Sequence, residues 1–429
     1  MKYLILTLLI SFNLHAETLN EIIQHTLATN PDVLITIQDY RASKQIVKQV
    51  KGSYLPSLEL YAGYGSENSD NTTTRNLNNG DITLTRSEIS LTLSQILFNG
   101  FKTKYGVKKY KFLANSAIHR VKNTSENIAL LTSEVYLEIL RRQSLLELTK
   151  NNIVIHQKIL NQIKLLVEGG AGRKADIQQS NSRLFLAKSS LINAKGKLRD
   201  AEISYRRVTG ELPKKLQQPD SMDNNLPKSS TEALNLALNK HSSLRLNKAN
   251  LAAAKASHNQ SKSVFMPYFT FELEASNRDN IDGIEGRNDD MKAMLRMRYN
   301  LFRGGSDIAK VQENAELIGA AKESIINSQR IIEEDVLLSW NGLETVIARL
   351  KYLQKYVESS EAVLNSYKEQ FKLGQRSLLD VLDSENELFN ARISLTSAQY
   401  SKILSTIKLL ESMGMLLDVL QIELFQETK

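Results

Sequence analysis

The sequence predicts a mainly α-helical chain with a β-barrel contribution, built from two copies of one structural unit. Three observations predict it: a duplicated register, two long proline-free spans of helical periodicity, and short period-two stretches beside those spans. The duplication is the most informative. An offset of 211 residues carries Thr18 and Glu21 onto Ser229 and Glu232, and Pro56 onto Pro267. An offset of 204 then holds without a gap, placing Gly100 on Gly304, Gly170 on Gly374, Asp176 on Asp380 and Gly210 on Gly414. So many landmarks in one register mean an internal repeat. The chain divides into 1–16 signal peptide, 17–210 first repeat, 211–228 linker and 229–429 second repeat.

The elements follow in order. Lys2, the apolar run from Tyr3 to Ile10 and Leu14-His15-Ala16 read as an export signal with its cleavage site. The chain has no cysteine, which removes lipid attachment through a thioether, disulfides and thiolate metal sites. After the signal no run of ~18 apolar residues occurs, so no transmembrane helix is expected. The formal charge of +8 is spread through the helices rather than clustered, and no nucleic-acid partner is expected. The six histidines are scattered without metal-ligand spacing. No metal, no cofactor and no catalytic constellation is expected, and the chain does not read as an enzyme.

Residues 57–212 and 268–429 contain no proline. From Gly100 to Val167 apolar residues recur with helical spacing, including Leu131, Val135, Ile139, Ile159 and Ile163. At 1.5 Å per residue such a helix is a rod of roughly 100 Å. The matching rod runs from Gly305 to Leu373, where Leu350, Val357, Leu364 and Phe371 recur every seven residues with Leu353 and Tyr367 between. That is a coiled-coil seam, with Ser360 as its one polar interruption. Second helices, Lys174–Thr209 and Ser377–Met413, return after short turns and make two helical hairpins. Pro213, Pro219 and Pro227 mark the polar linker.

Beside the rods the period changes to two. Phe269, Phe271, Leu273 and Ala275 alternate with Tyr268, Thr270, Glu272 and Glu274. Met291, Ala293, Leu295 and Met297 alternate with Lys292, Met294, Arg296 and Arg298. The first repeat carries less regular equivalents at 57–65 and 88–95, and polar loops are expected at 66–81 and 277–290. A soluble sheet packed on helices would alternate in this way, and so would a membrane-spanning barrel with strands of ~9–11 residues. A barrel needs about eight strands or more, and open edges are intolerable in lipid, so four strands per chain would require oligomers. If the strands form a barrel, parity puts Lys292, Arg296 and Arg298 on its lumen face, and a one-residue shift of register would reverse it.

Two turns carry the most specific wording: Glu168-Gly-Gly-Ala-Gly-Arg-Lys-Ala-Asp176 and Phe371-Lys-Leu-Gly-Gln-Arg-Ser-Leu-Leu-Asp-Val-Leu-Asp383. Gly170, Gly172 and Gly374 let the backbone reverse between helices and leave room for a partner to pack closely. Gly170 through Lys174 lacks the spacing and the hydroxyl of a phosphate loop. With these turns, the two repeats and the strand pairs after proline, the chain resembles the TolC family of trimeric outer-membrane channel-tunnels over its whole mature length. The tip wording resembles the members that serve type I secretion.

The resemblance implies a homotrimer whose four strands per protomer close into a 12-stranded β-barrel on an α-helical barrel. It implies a place in the bacterial outer membrane, reaching into the periplasm. It also implies contacts with outer-membrane lipid, a periplasmic adaptor and an inner-membrane ABC or proton-driven transporter. Its turns imply adaptor docking at Gly170, Gly172 and Gly374, and a gate held by Asp176, Arg173 and Arg376. Phe371 stands where the family often has tyrosine, so the lock is expected to lack a phenolic hydrogen bond. Asp380 and Asp383 lie three residues apart on one helical face, and a trimer would make of them a ring of carboxylates that attracts cations. Helix capping by Asp176 and Asp380 is the plainer alternative. The expected function is polypeptide export, with multidrug efflux as the first rival and a periplasmic coiled-coil scaffold as the second.

Overall fold

The computed structural model describes residues 17–423 apart from 79 and 171, with no description of the side chains at 77 and 78. The expected signal peptide, 1–16, lies outside the described residues. In chain order the elements are α1 (Leu19–Thr29), α2 (Pro31–Gly52), β1 (Ser57–Ser69), α3 (Thr72–Asn78), β2 (Ile82–Asn99), α4 (Lys102–Glu168) and α5 (Lys174–Thr209). There follow α6 (Ser230–Lys240), α7 (Ser242–Ser261), β3 (Tyr268–Ile281), β4 (Ile284–Arg298), α8 (Ser306–Lys372), α9 (Leu378–Ser412) and α10 (Leu416–Val419). The repeated sequence landmarks are local structural devices. Thr18 and Glu21 form the capping box of α1, and Ser229 caps α6 by accepting the Glu232 N–H. Helices α4 and α8 have 67 residues each.

Two compact units divide the chain, and each draws on both repeats. One comprises residues up to Ile37, Arg120–Leu244 and Ser328 onward; the other comprises Gln38–His119 and Arg245–Asn327.

The second unit carries an antiparallel sheet in the order β1-β2-β3-β4. Its register sorts the side chains by face. Leu60 pairs with Leu91, Leu91 with Ala275 and Ala275 with Met291. One residue along, Glu59 pairs with Thr92, Thr92 with Glu274 and Glu274 with Lys292. One face is therefore a continuous apolar band and the other is charged. Lys292, Arg296 and Arg298 share the charged face, where Arg296 bonds to Glu272.

The expected polar loop at 277–290 is largely strand. β3 and β4 run on through 277–281 and 284–290 to a two-residue turn at Asp282 (φ 54°) and Gly283 (φ 77°). Two successive left-handed residues are what a type I′ hairpin requires, and Asp-Gly supplies them. In the first repeat β1 reaches Ser69, and α3 occupies part of the expected loop. These extensions stand on polar cross-strand pairs such as Arg278 with Asp290 and Asn68 with Thr83.

Helices of this unit follow the strand order. A Cβ on Gly106 of α4 would lie 2.9 Å from Gln260 of α7 and 3.4 Å from Val50 of α2, so α4 runs between them. Its corner with β2 is Gly100, at φ 62°.

The first unit holds the hairpins. The predicted seam is observed: Val357 and Leu364 of α8 bury against Val381, Leu388 and Ala391 of α9, flanked by Tyr367 and Phe371. A second cluster joins α4 to α9 through Ile159, Ile163, Leu378 and Leu382. Buried Tyr136 ties the chain's start to the linker, its hydroxyl lying 2.9 Å from the Glu17 carbonyl and accepting the Gln217 N–H at 3.1 Å.

The end of the chain docks on α4, where Glu126 accepts the Leu417 N–H at 3.3 Å and Lys122 pairs with Asp418 at 3.3 Å. Burial pushes the Glu126 carboxyl up to about 7, opposed by the Leu417 N–H and Lys122 and reinforced by Glu411 and Asp418. Burial likewise pushes Glu411 up to about 7, helped by Asp335 and Glu134 and opposed by Lys408. A carboxyl that binds its proton more tightly when folded favours the folded state at low pH. That advantage fades as pH rises from the unfolded value of 4.5 through about 7. Glu126→Gln keeps an acceptor for Leu417 and removes the titration. The variant is expected to melt like wild type near pH ~5 and to be more stable near pH ~8, by on the order of 1–3 kcal/mol. Thermal melts at both pH values check this, and an equal shift at both would contradict it.

Candidate functional site: the hairpin tips

Each hairpin turns on glycine. Gly170 (φ 79°) donates to the Val167 carbonyl at 3.1 Å. Gly374 (φ 71°) donates to Phe371 at 3.0 Å, while Gln375 donates to Gln370 at 2.9 Å. The left-handed glycine and its two returning bonds close the last helical turn. Space around Gly170 and Gly374 is open, with no atom within 4 Å of a built Cβ. Gly172 differs: a Cβ there would lie 2.7 Å from the Val167 side chain, so this glycine serves close approach within its own turn. Leu165 and Leu373, beside the turns, are 68% and 71% exposed.

The acids beside the turns cap helices. Asp176 accepts the Arg173 N–H at 3.4 Å. Asp380 accepts the Ser377 N–H at 3.3 Å and its hydroxyl at 2.8 Å. Arg376 also finds partners in its own hairpin: the Tyr367 ring at 4.1 Å, Gln370 at 3.0 Å and Asp380 at 4.0 Å. Asp383 reaches across, accepting from Arg183 of α5 at 2.7 Å. That link between hairpins is a pairing the sequence reading missed. Phe371 packs into both apolar clusters and so joins α8 to α4 as well as to α9.

A polar layer accompanies these clusters. Glu385 of α9 is only 3% exposed, and Lys368 of α8 lies 2.5 Å from it. His156 of α4 is buried and its Nδ1 has no hydrogen-bond partner among the described residues. Burial holds the His156 imidazole below its ordinary range, with Glu385 drawing it up and Arg183 pressing it down. Four helices thus contribute one ionisable residue each: His156, Arg183, Lys368 and Glu385. Sequence separations of up to 229 residues hide this layer from any periodicity argument. Among the described residues no group of His, Cys, Asp or Glu could hold a metal ion, and no helix is long and apolar enough to cross a membrane.

A two-faced sheet and two long hairpins ending in charged glycine turns define a wall-forming chain of the channel-tunnel class. The chain belongs to the outer membrane efflux protein family, whose model matches residues 22–211 and again 233–415. It is 23% identical to the outer membrane protein TolC of Vibrio cholerae, over 94% of this chain and 91% of that one. It is 22% identical to the proteases secretion protein PrtF of Dickeya chrysanthemi, over 84% and 80% of the two chains. The Campylobacter jejuni CmeC outer membrane channel superposes with a TM-score of 0.81 at 14% identity, covering 93% of this chain and 86% of that one. That likeness concerns the fold. Family membership puts the protein in the outer membrane as a channel component, in line with the resemblance drawn from the turns.

Proposed function

We propose that three copies close into one duct that passes polypeptide from an inner-membrane transporter, through an adaptor, to the cell exterior. The observation that carries this reading is the sheet: its apolar face suits lipid, and its outer strands β1 and β4 have one unpaired edge each. Unpaired edges cost several kcal/mol per group in lipid, so copies must complete the sheet, and three copies give twelve strands. Apolar side chains left exposed on the helices support closure between copies. Phe185, Ile192 and Ile203 on α5, and Leu338, Tyr352 and Val363 on α8, are 44–73% exposed. The charged sheet face, with Lys292, Arg296 and Arg298, would line the lumen.

At the tips, open space at Gly170 and Gly374 beside exposed Leu165 and Leu373 suits an adaptor hairpin. Gly172 would shape that surface from within. Asp176, Arg173 and Arg376 would lock neighbouring copies, with Phe371 supplying packing in place of a phenolic bond. Asp380 and Asp383 would ring the constriction, their charge tempered by Ser377 and Arg183. The wording of the second turn and the likeness to a protease secretion protein favour polypeptide cargo over drugs. Deleting the gene is expected to remove one large protein from the cell exterior and leave resistance to toxic small molecules unchanged. Unchanged secretion with lost resistance would reverse the choice and favour drug efflux.

A further inference from the structure

The positive charge is less evenly spread than the sequence led us to expect: no acidic residue occurs between Glu88 and Glu126, yet this interval holds Lys102, Lys104, Lys108, Lys109 and Lys111. We infer that the start of α4 binds anionic phospholipid headgroups of the membrane leaflet facing the periplasm, through Lys104, Lys108 and Lys111. The inference rests on the reading that the sheet crosses the outer membrane.

Spacings of four and three residues put the three lysines on one helical face. All three are exposed, and none has an ion-pair partner among the described residues. Their face lies opposite Gly106, the side on which Val50 and Gln260 close over the helix. Aromatic rings accompany them: the Lys104 ammonium lies 5.3 Å from the Phe101 ring and 5.9 Å from Tyr105, and Lys108 lies 6.0 Å from Phe112. Phe101 is 44% exposed, and Tyr54, Leu97 and Phe265 at the same end of the strands are exposed as well. Aromatic rings alternating with lysine are the composition of a membrane–water interface rather than of a surface facing water alone.

Distance agrees. Helix α4 starts three residues after β2 ends, and its rise puts Lys104, Lys108 and Lys111 about 3, 9 and 14 Å beyond the helix start. A headgroup zone is roughly 5–8 Å deep, and a lysine stem extends the reach of each ammonium by several ångströms. The equivalent start of α8 is neutralised locally, with Arg303 paired to Asp307 and Lys310 to Glu313 at 2.7 Å. Of the two equivalent helix starts, the one in the first repeat therefore carries the lysines without acidic partners.

The test uses the purified full-length assembly in nanodiscs of phosphatidylcholine doped with phosphatidylglycerol or cardiolipin, with mass spectrometry of the lipid retained after extraction. Wild type is expected to retain the anionic lipid selectively. Each lysine near an anionic surface contributes about fivefold, so Lys104→Gln/Lys108→Gln/Lys111→Gln is expected to lose at least about tenfold of that selectivity. The arginine triple variant is expected to keep it, as is Lys158→Gln/Lys164→Gln/Lys188→Gln. Unchanged selectivity in the first variant would overturn the inference. So would unchanged lipid retention with an altered ion preference of the channel, which would turn these lysines toward the lumen and an anionic cargo. Failure of wild type to enter any bilayer would instead overturn the membrane reading on which the inference rests.

Discussion

Gly100→Val is expected to lower stability by at least about 3 kcal/mol and to abolish most of the assembled protein, whereas Gly304→Ala is expected to cost only about 1–2 kcal/mol. Both positions are left-handed, at φ 62° and 59°, and they are equivalent in the two repeats. Their surroundings differ. A Cβ on Gly100 would lie 2.5 Å from the Ser263 carbonyl oxygen and 2.9 Å from the Met266 Cβ, while Gly304 has nothing within 4 Å. The first substitution must move backbone at the corner joining β2 to α4, and a branched side chain worsens the conformational strain. Trimer yield and thermal melting of the two variants check this, and equal losses would contradict it.

The second large effect is expected in the polar layer of the hairpins. Lys368→Met should destabilise by about 2–4 kcal/mol because it leaves the Glu385 carboxylate buried without its cation. The lower part of that range is favoured by the lysine's own side chain, which is 40% exposed. Adding Glu385→Leu is expected to restore most of the loss, since a buried pair replaced by apolar groups is close to neutral. Denaturation of the single and double variants provides the comparison. A double variant no more stable than Lys368→Met would show that the pair is not a unit.

Much of the fold is legible in the sequence because it rests on periodic patterns. The heptad of Val357, Leu364 and Phe371 gives the α8–α9 seam, and the proline-free spans give helices whose observed ends fall within a few residues of expectation. The hairpin extension at 277–290 was not legible for a physical reason. Above the apolar band both faces of β3 and β4 are polar, so alternation vanishes although the ladder continues. Asp282-Gly283 was the local signal that could have revealed it. The tips were legible as glycine turns with flanking charge, but not in their pairing. Arg183 and Asp383 are 200 residues apart, and neither repeat's motif contains both. Asp176, Asp380 and Arg376 spend their bonds inside their own hairpins, which one chain's capping chemistry explains on its own terms.

The most direct test of the central claim is single-channel conductance of the purified wild-type protein in planar bilayers. A closed barrel with carboxylates at its constriction predicts discrete, long-lived steps with a preference for cations. Intact trimers that enter the bilayer and pass no current would contradict the conduit.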